Sequence, residues 1–141
     1  MLAVFTWCLF SPAAQVWAQA QSPQQMLIVR GRQLFEDQEY EESIQALSAA
    51  LLHPSDTVNE VIEIHRLLAL DYITLGKKEE AASAVRGLLA LRPDYALPSS
   101  ESPRFRDFFA TTREMWLAEG RPGLVSASGP APPPAVIVHD S

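Results

Sequence analysis

Cysteine is almost absent: Cys8 is the only one in 141 residues. It lies in an N-terminal apolar segment, so the chain beyond that segment has no disulfide, no thiolate metal site and no cysteine nucleophile. Thr6 and Trp7 precede Cys8 where a lipobox would carry small residues, so lipidation is not expected. Positive charge is also scarce. Eleven Lys and Arg against 17 Asp and Glu give a net charge of −6, which leaves no basic footprint for nucleic acid. Gly31, Gly76, Gly87, Gly120, Gly123 and Gly129 are scattered and form no phosphate loop. His53, His65 and His139 stand far apart and match no HExxH spacing, and His65, amid apolar residues on a helix, reads as a packing or surface residue. No serine sits in a G-x-S-x-G elbow. No period-two alternation occurs between Pro23 and Gly120. With no motif for chemistry, the chain is read as non-enzymatic, without cofactor or metal.

The longest apolar run of the N-terminus, Leu2 to Phe10, is shorter than the about 20 residues a membrane span needs. Small residues follow it and end in Ala18-Gln19-Ala20, an A-x-A cleavage pattern. Residues 1–20 are therefore expected to be a signal peptide cut after Ala20, making the protein periplasmic or secreted. The alternative is an uncleaved N-terminus that anchors the chain to the membrane, the one membrane contact foreseen. No Lys or Arg stands at the start, where a positive n-region belongs, a feature that would fit a true start upstream of Met1.

From Pro23 the apolar period turns helical, and five helices are expected. The first covers about Gln24 to Glu36. The second runs from Glu39 to about Leu52 with a stripe of Tyr40, Ile44, Leu47 and Leu51, and Pro54 ends it. The third begins at Thr57, which with Glu60 forms a capping box, and carries Val61, Ile64, Leu68, Tyr72 and Leu75 at helical spacing up to Gly76. The fourth covers Lys78 to Leu91 and buries Ala81, Ala84, Val85, Leu88 and Leu89. The fifth has Ser102 as N-cap and Pro103 at its first position. Phe105, Phe108, Phe109, Thr112 and Trp116 share one of its faces, and Gly120 and Pro122 follow.

The two hairpins superpose with an offset of 38 residues, carrying Leu34 onto Tyr72, Gln38 onto Gly76, Ser43 onto Ala81, Leu47 onto Val85 and Ala50 onto Leu88. "LIVRGRQLFEDQEYEESIQALSAALLHP" and "HRLLALDYITLGKKEEAASAVRGLLALRP" both resemble the tetratricopeptide repeat (TPR) family, the second through Leu68, Ala69, Tyr72, Gly76, Ala81, Val85, Leu88 and Pro93. The first matches through Gly31, Leu34, Tyr40, Ser43, Leu47, Ala50 and, one residue displaced, Pro54. Leu27 and His65 stand where the family has an early aromatic residue, and "HPSDTVNEV" lengthens the period beyond the family's usual 34 or so. The resemblance implies an all-α fold over residues 21–120: two TPR-like helical hairpins stacked as an α-α superhelix, closed by the fifth helix as a cap.

The resemblance also implies a protein-binding scaffold that presents the first helix of each pair on a concave face. Carried over by position, that face comprises Gln25, Ile28, Arg32, Phe35 and Glu36 from the first repeat, and Glu63, Arg66, Leu70, Ile73 and Thr74 from the second. Ile28, Arg32, Phe35, Arg66, Leu70 and Ile73 are the candidate partner-binding residues, suited to a protein or peptide with acidic and hydrophobic side chains; the equal alternative is that some of the apolar ones pack against the fifth helix. Spacing also allows Arg32 to pair with Glu36, and Arg66 with Glu63, one turn away on the same helix. Val29 and Leu67 stand where some relatives carry the Asn of a carboxylate clamp, so capture of a peptide C-terminus is not expected.

Stretches such as "LGKKEEAASAVRGLLALRPDYALP" also look like repeat modules of bacterial cell-envelope proteins. Residues 121–141, rich in Pro, Gly and Ser, cannot bury enough surface to fold alone and are expected to be a disordered tail or linker. "AVIVHD" reads either as a chance apolar end or as the first strand of a further domain. In the latter case the helical part would be a structural spacer or oligomerisation segment presenting a C-terminal β domain.

Overall fold

The computed structural model describes residues 21–55 and 57–124. The expected signal peptide and nearly all of the expected tail lie outside these residues. The described residues form five α-helices and no strand: α1 (Pro23–Glu36), α2 (Tyr40–Ala50), α3 (Val58–Thr74), α4 (Lys78–Leu91) and α5 (Pro103–Ala118). α1 pairs with α2 and α3 with α4 as hairpins, α3 lies against both α1 and α2, and α5 packs on α4.

Local chemistry accounts for most helix ends. At α1, Ser22 accepts from the Gln25 backbone N–H while the Gln25 side chain reaches back to Ser22 N, and Pro23 occupies the first turn, where no N–H is needed. Thr57 and Glu60 make the same reciprocal pair at α3, as their spacing predicts. Ser102 departs from expectation: it precedes α5 but its hydroxyl makes no capping bond, so Pro103 alone marks that start. α3 ends where Gly76 takes φ +75°, and Lys77 N–H bonds back to Tyr72 O at 2.8 Å. Gln38, the equivalent of Gly76 in the first hairpin, adopts φ 63°, and Glu39 N–H bonds Leu34 O at 2.8 Å. The 38-residue offset (Leu34 to Tyr72) thus holds for hydrogen bonds as well as for residue types. Glutamine pays for this conformation with backbone strain that glycine avoids.

The core runs through all five helices. α4 buries Ala81, Ala84, Val85, Leu88 and Leu89, the side its period predicts. α5 contributes Phe109, Thr112 and Trp116. α2 is shorter than expected and rotated: Ser43, Ala46, Leu47 and Ala50 are buried, whereas Leu51 is exposed and Tyr40 and Ile44 are only half-buried. The reason is that the small residues at 43, 46 and 50 are what let α1 and α3 come close, so they form the inner face in place of the larger ones. Gln24, at the start of α1, is buried and donates to Ala50 O and His53 O at 3.1 and 3.3 Å, tying α1 to the turn that ends α2.

The α1–α2 approach is closest at Gly31. A Cβ there would stand 2.6 Å from both Cγ and Cδ2 of Leu47, which has no solvent-exposed surface and no room to yield. Gly31→Ala is therefore expected to destabilise the fold. Overpacking costs about 1–3 kcal/mol, against about 1 kcal/mol gained in helix preference. A urea titration should show a lower midpoint with unchanged slope.

Candidate partner-binding surface

α1 and α3 run side by side, and the groove between them, about 330 Å³, is lined by Gln25, Ile28, Val29, Arg32, Asn59 and Glu63 among others. Four of these, Gln25, Ile28, Arg32 and Glu63, belong to the surface expected from the sequence. Val29, 49% exposed, supplies the apolar rim. Gln25 Nε2 donates to Glu60 Oε1 at 2.8 Å and so ties the two helices at the groove's end.

The two arginines converge on one carboxylate. Arg66 donates from Nε to Glu63 Oε2 at 2.8 Å and from Nη2 to Glu63 Oε1 at 2.9 Å, a bidentate pair within α3. Arg32 reaches across from α1 to Glu63 Oε1 at 3.1 Å, and does not pair with Glu36 on its own helix. Burial pushes the Glu63 carboxyl up, but the Arg66 and Arg32 guanidiniums outweigh it and hold the group below its ordinary value. The bond to Glu63 likewise raises Arg66 despite its desolvation. Arg66 also meets Glu101 at 3.5 Å. Arg66 is thus part of the frame, while Arg32, with a side chain 47% exposed, keeps donors facing water.

The apolar part of the expected strip is not on the surface. Ile28, Leu70 and Ile73 are 5%, 1% and 4% exposed. Phe35 is half-buried and set edge-on to Tyr40, with ring centroids 5.6 Å apart. What covers the second repeat is the chain itself. The α4–α5 connection places Leu97 in the same buried cluster as Leu70, Ile73 and Phe109. Its Tyr95 ring lies 6.4 Å from that of Phe109, and Glu101 supplies the carboxylate at Arg66. At the start of α5, Arg104 Nη2 donates to Ile73 O at 2.6 Å. An acidic and hydrophobic segment, the ligand chemistry expected for this strip, is therefore present in the molecule as residues 95–101. Helical period does not reveal the part of this cover that comes from the loop, whereas the part from α5, Arg104 and Phe109, matches the alternative that the fifth helix packs there.

One buried group, Asp71, escaped the sequence reading, whereas His65 was read as a packing or surface residue. Asp71 is fully buried at the junction of α1, α2 and α3: its Oδ2 stands 2.7 Å from Ser43 Oγ, whose hydroxyl also lies 2.9 Å from Gly31 O. Among the described residues no hydrogen bond reaches Oδ1, and burial pushes the carboxyl up to about 7. The available sign was position, since Asp71 follows Leu70 and precedes Tyr72 and Ile73 in an otherwise apolar run. His65 is half-buried with its ring against Gly87, where a Cβ would come within 2.8 Å of Cε1. Desolvation lowers its pKa, and Nδ1 has no hydrogen-bond partner among the described residues. Among the described residues no group of three His, Cys, Asp or Glu side chains could hold a metal ion. Nor is any helix among them long and apolar enough to cross a membrane. Comparisons with protein-family models, with curated proteins and with solved structures found no match for this chain.

Proposed function

We propose that the chain is a non-enzymatic interaction scaffold of the cell envelope, exported through a signal peptide. In this reading two TPR-like hairpins stack, α5 caps them, and a protein or peptide partner enters the groove between α1 and α3. The observation that supports it most is the recurrence of one hairpin after 38 residues, Leu34 to Tyr72, in residue size, in buried positions and in the helix-end bonds of Glu39 and Lys77. A stack of this kind leaves one side of its first helices free for a ligand. On the first repeat that side offers Val29 and Arg32 at the surface, beside Gln25.

The test is capture of a partner from envelope extract by residues 21–124. Val29→Glu with Arg32→Ala removes the apolar rim and the exposed guanidinium while leaving Arg66–Glu63 in place. Capture is expected to fall at least roughly tenfold, with stability lowered by no more than about 1 kcal/mol, the most an exposed pair such as Arg32–Glu63 contributes. Undiminished capture would move the binding surface elsewhere on the molecule.

A further inference from the structure

A second groove, about 340 Å³, lies between the α4–α5 connection and the outer side of α5. Tyr95, Leu97, Phe109 and Leu117 supply its apolar lining, and Arg106 and Arg113 stand along it two helical turns apart, about 10 Å. Tyr95 and Phe109 are fixed against each other, Leu97 and Phe109 are buried, and Leu117 is exposed, so a rigid floor ends in an open apolar edge.

The charge of this groove opposes that of the chain. Among the described residues Glu114 is the one carboxylate that lines it, against two guanidiniums, in a protein whose net charge is −6. Among the described residues neither arginine pairs with a carboxylate. Arg106 uses Nε on the backbone oxygen of Glu101, at 3.1 Å. Arg113 Nε is sealed from solvent and bonds to nothing. Its guanidinium is already partly desolvated, so a carboxylate meeting its remaining donors displaces less water and forms a stronger bond in the lower local dielectric. Elsewhere in the molecule the arginines near carboxylates are taken: Arg32 and Arg66 by Glu63, and Arg86 by Glu119.

We infer that the α5 groove docks a partner peptide segment that carries an apolar side chain flanked by carboxylates. The apolar residue lies on Tyr95, Leu97 and Leu117, while carboxylates on either side meet Arg106 and Arg113, whose spacing sets the register. This rests on the scaffold reading but names a surface apart from the α1/α3 groove, so the two stand or fall separately.

The probe is a fluorescein-labelled peptide, Asp-Glu-Phe-Ala-Ala-Leu-Glu-Glu, with its Asn/Gln counterpart as control, titrated onto residues 21–124 while backbone amide shifts are followed by NMR. The acidic peptide is expected to shift the amides of Leu97, Ala110 and Leu117, and to bind roughly tenfold or more tightly than the amide peptide, since each charge-assisted bond exceeds a neutral one. Arg106→Gln with Arg113→Gln should erase that difference and leave the melting curve unchanged. Val29→Glu with Arg32→Ala should have no effect on this binding. No shifts with several hundred micromolar peptide would overturn the inference, as would equal binding of both peptides. A second copy of the chain, or anionic vesicles, competing for the same arginines in place of peptide would reassign the groove and also overturn it. Should the double glutamine variant lose helicity, Leu117→Gln, at an exposed position, removes the apolar edge without adding charge and should weaken binding of the acidic peptide.

Discussion

Asp71→Asn is expected to stabilise the protein at neutral pH, by an amount that vanishes in acid. Asp71 sits where α1, α2 and α3 meet, without exposed surface and with no cation bonded to it. Ser43 Oγ is within donor distance of both Asp71 Oδ2 and Gly31 O but has one proton to give; protonating Asp71 lets the acid O–H donate to Ser43 Oγ instead and frees the Ser43 proton for Gly31 O. The ionised form must take the single Ser43 proton for itself, leave Gly31 O without it, and hold a charge away from water. Burial away from water outweighs the Ser43 hydrogen bond, which favours the carboxylate, and moves the pKa from 3.8 to about 7.

The sign of the pH dependence follows. Between 3.8 and about 7 the folded state binds more protons than the unfolded one, so stability falls as pH rises through this window. It is complete below 3.8 and lost above about 7. A separation of roughly three units corresponds to an effect on the order of 4 kcal/mol at neutral pH. Asparagine imitates the protonated acid, donating from its amide to Ser43 Oγ. Denaturant midpoints of the native and Asp71→Asn chains should converge near pH 4 and separate steadily up to pH 7 and above. Taking the difference between the two chains removes the opposite contribution of Glu63, whose lowered pKa gives stability that is lost as pH falls. A constant difference from pH 4 to 8 would mean that the buried carboxyl is ionised throughout or reached by water.

Trp116→Ala is expected to cost about 3–5 kcal/mol, the range for emptying a buried tryptophan site. Trp116 has no exposed surface and shares the buried cluster with Leu88 and Leu89 of α4. Its indole N–H donates to Pro122 O at 2.9 Å, which holds the turn after α5. Gly120, with φ +85°, and the Arg121 N–H to Trp116 O bond at 3.0 Å close α5 as Gly76 and Lys77 close α3. A domain of this size has about 5–15 kcal/mol in all, so the variant should melt far below the native chain and expose the α4 face to aggregation. Trp116→Phe keeps most of the apolar burial and loses the hydrogen bond, and should cost about 1 kcal/mol. Unchanged melting in the alanine variant would show α5 to be an arm that the hairpins do not need.

Whatever depends on a few neighbouring residues was legible in the sequence. Thr57 with Glu60, Gly76 and Pro103 set helix ends because capping, left-handed turns and the missing proline N–H act within one turn of chain. The buried side of α4 followed from period alone, since its small and large apolar residues all fall on one face. Ser22 and Gln25 carry the same S-x-x-Q signal that Thr57 and Glu60 do, and it was there to be read. The spacing of Arg106, Ala110, Arg113 and Leu117 was present too, but the aromatic residues on the other face of α5 give the stronger periodic signal.

Tertiary structure alone decided which faces remained free. Arg32 found Glu63 on another helix because α1 and α3 lie side by side, a fact that no spacing within α1 contains. Leu70 and Ile73 look like surface residues of a first helix, yet Leu97, Glu101 and Arg104, all later in the chain, close over them. Gln38 takes a glycine's backbone angle because the α1–α2 hairpin needs the turn there whatever the residue. The Asp71 carboxyl is pushed up to about 7 because the other helices packed around it exclude water, against the Ser43 hydrogen bond that favours its charged form. Periodicity fixes which residues share a face, but burial and charge state depend on what the rest of the chain lays against that face.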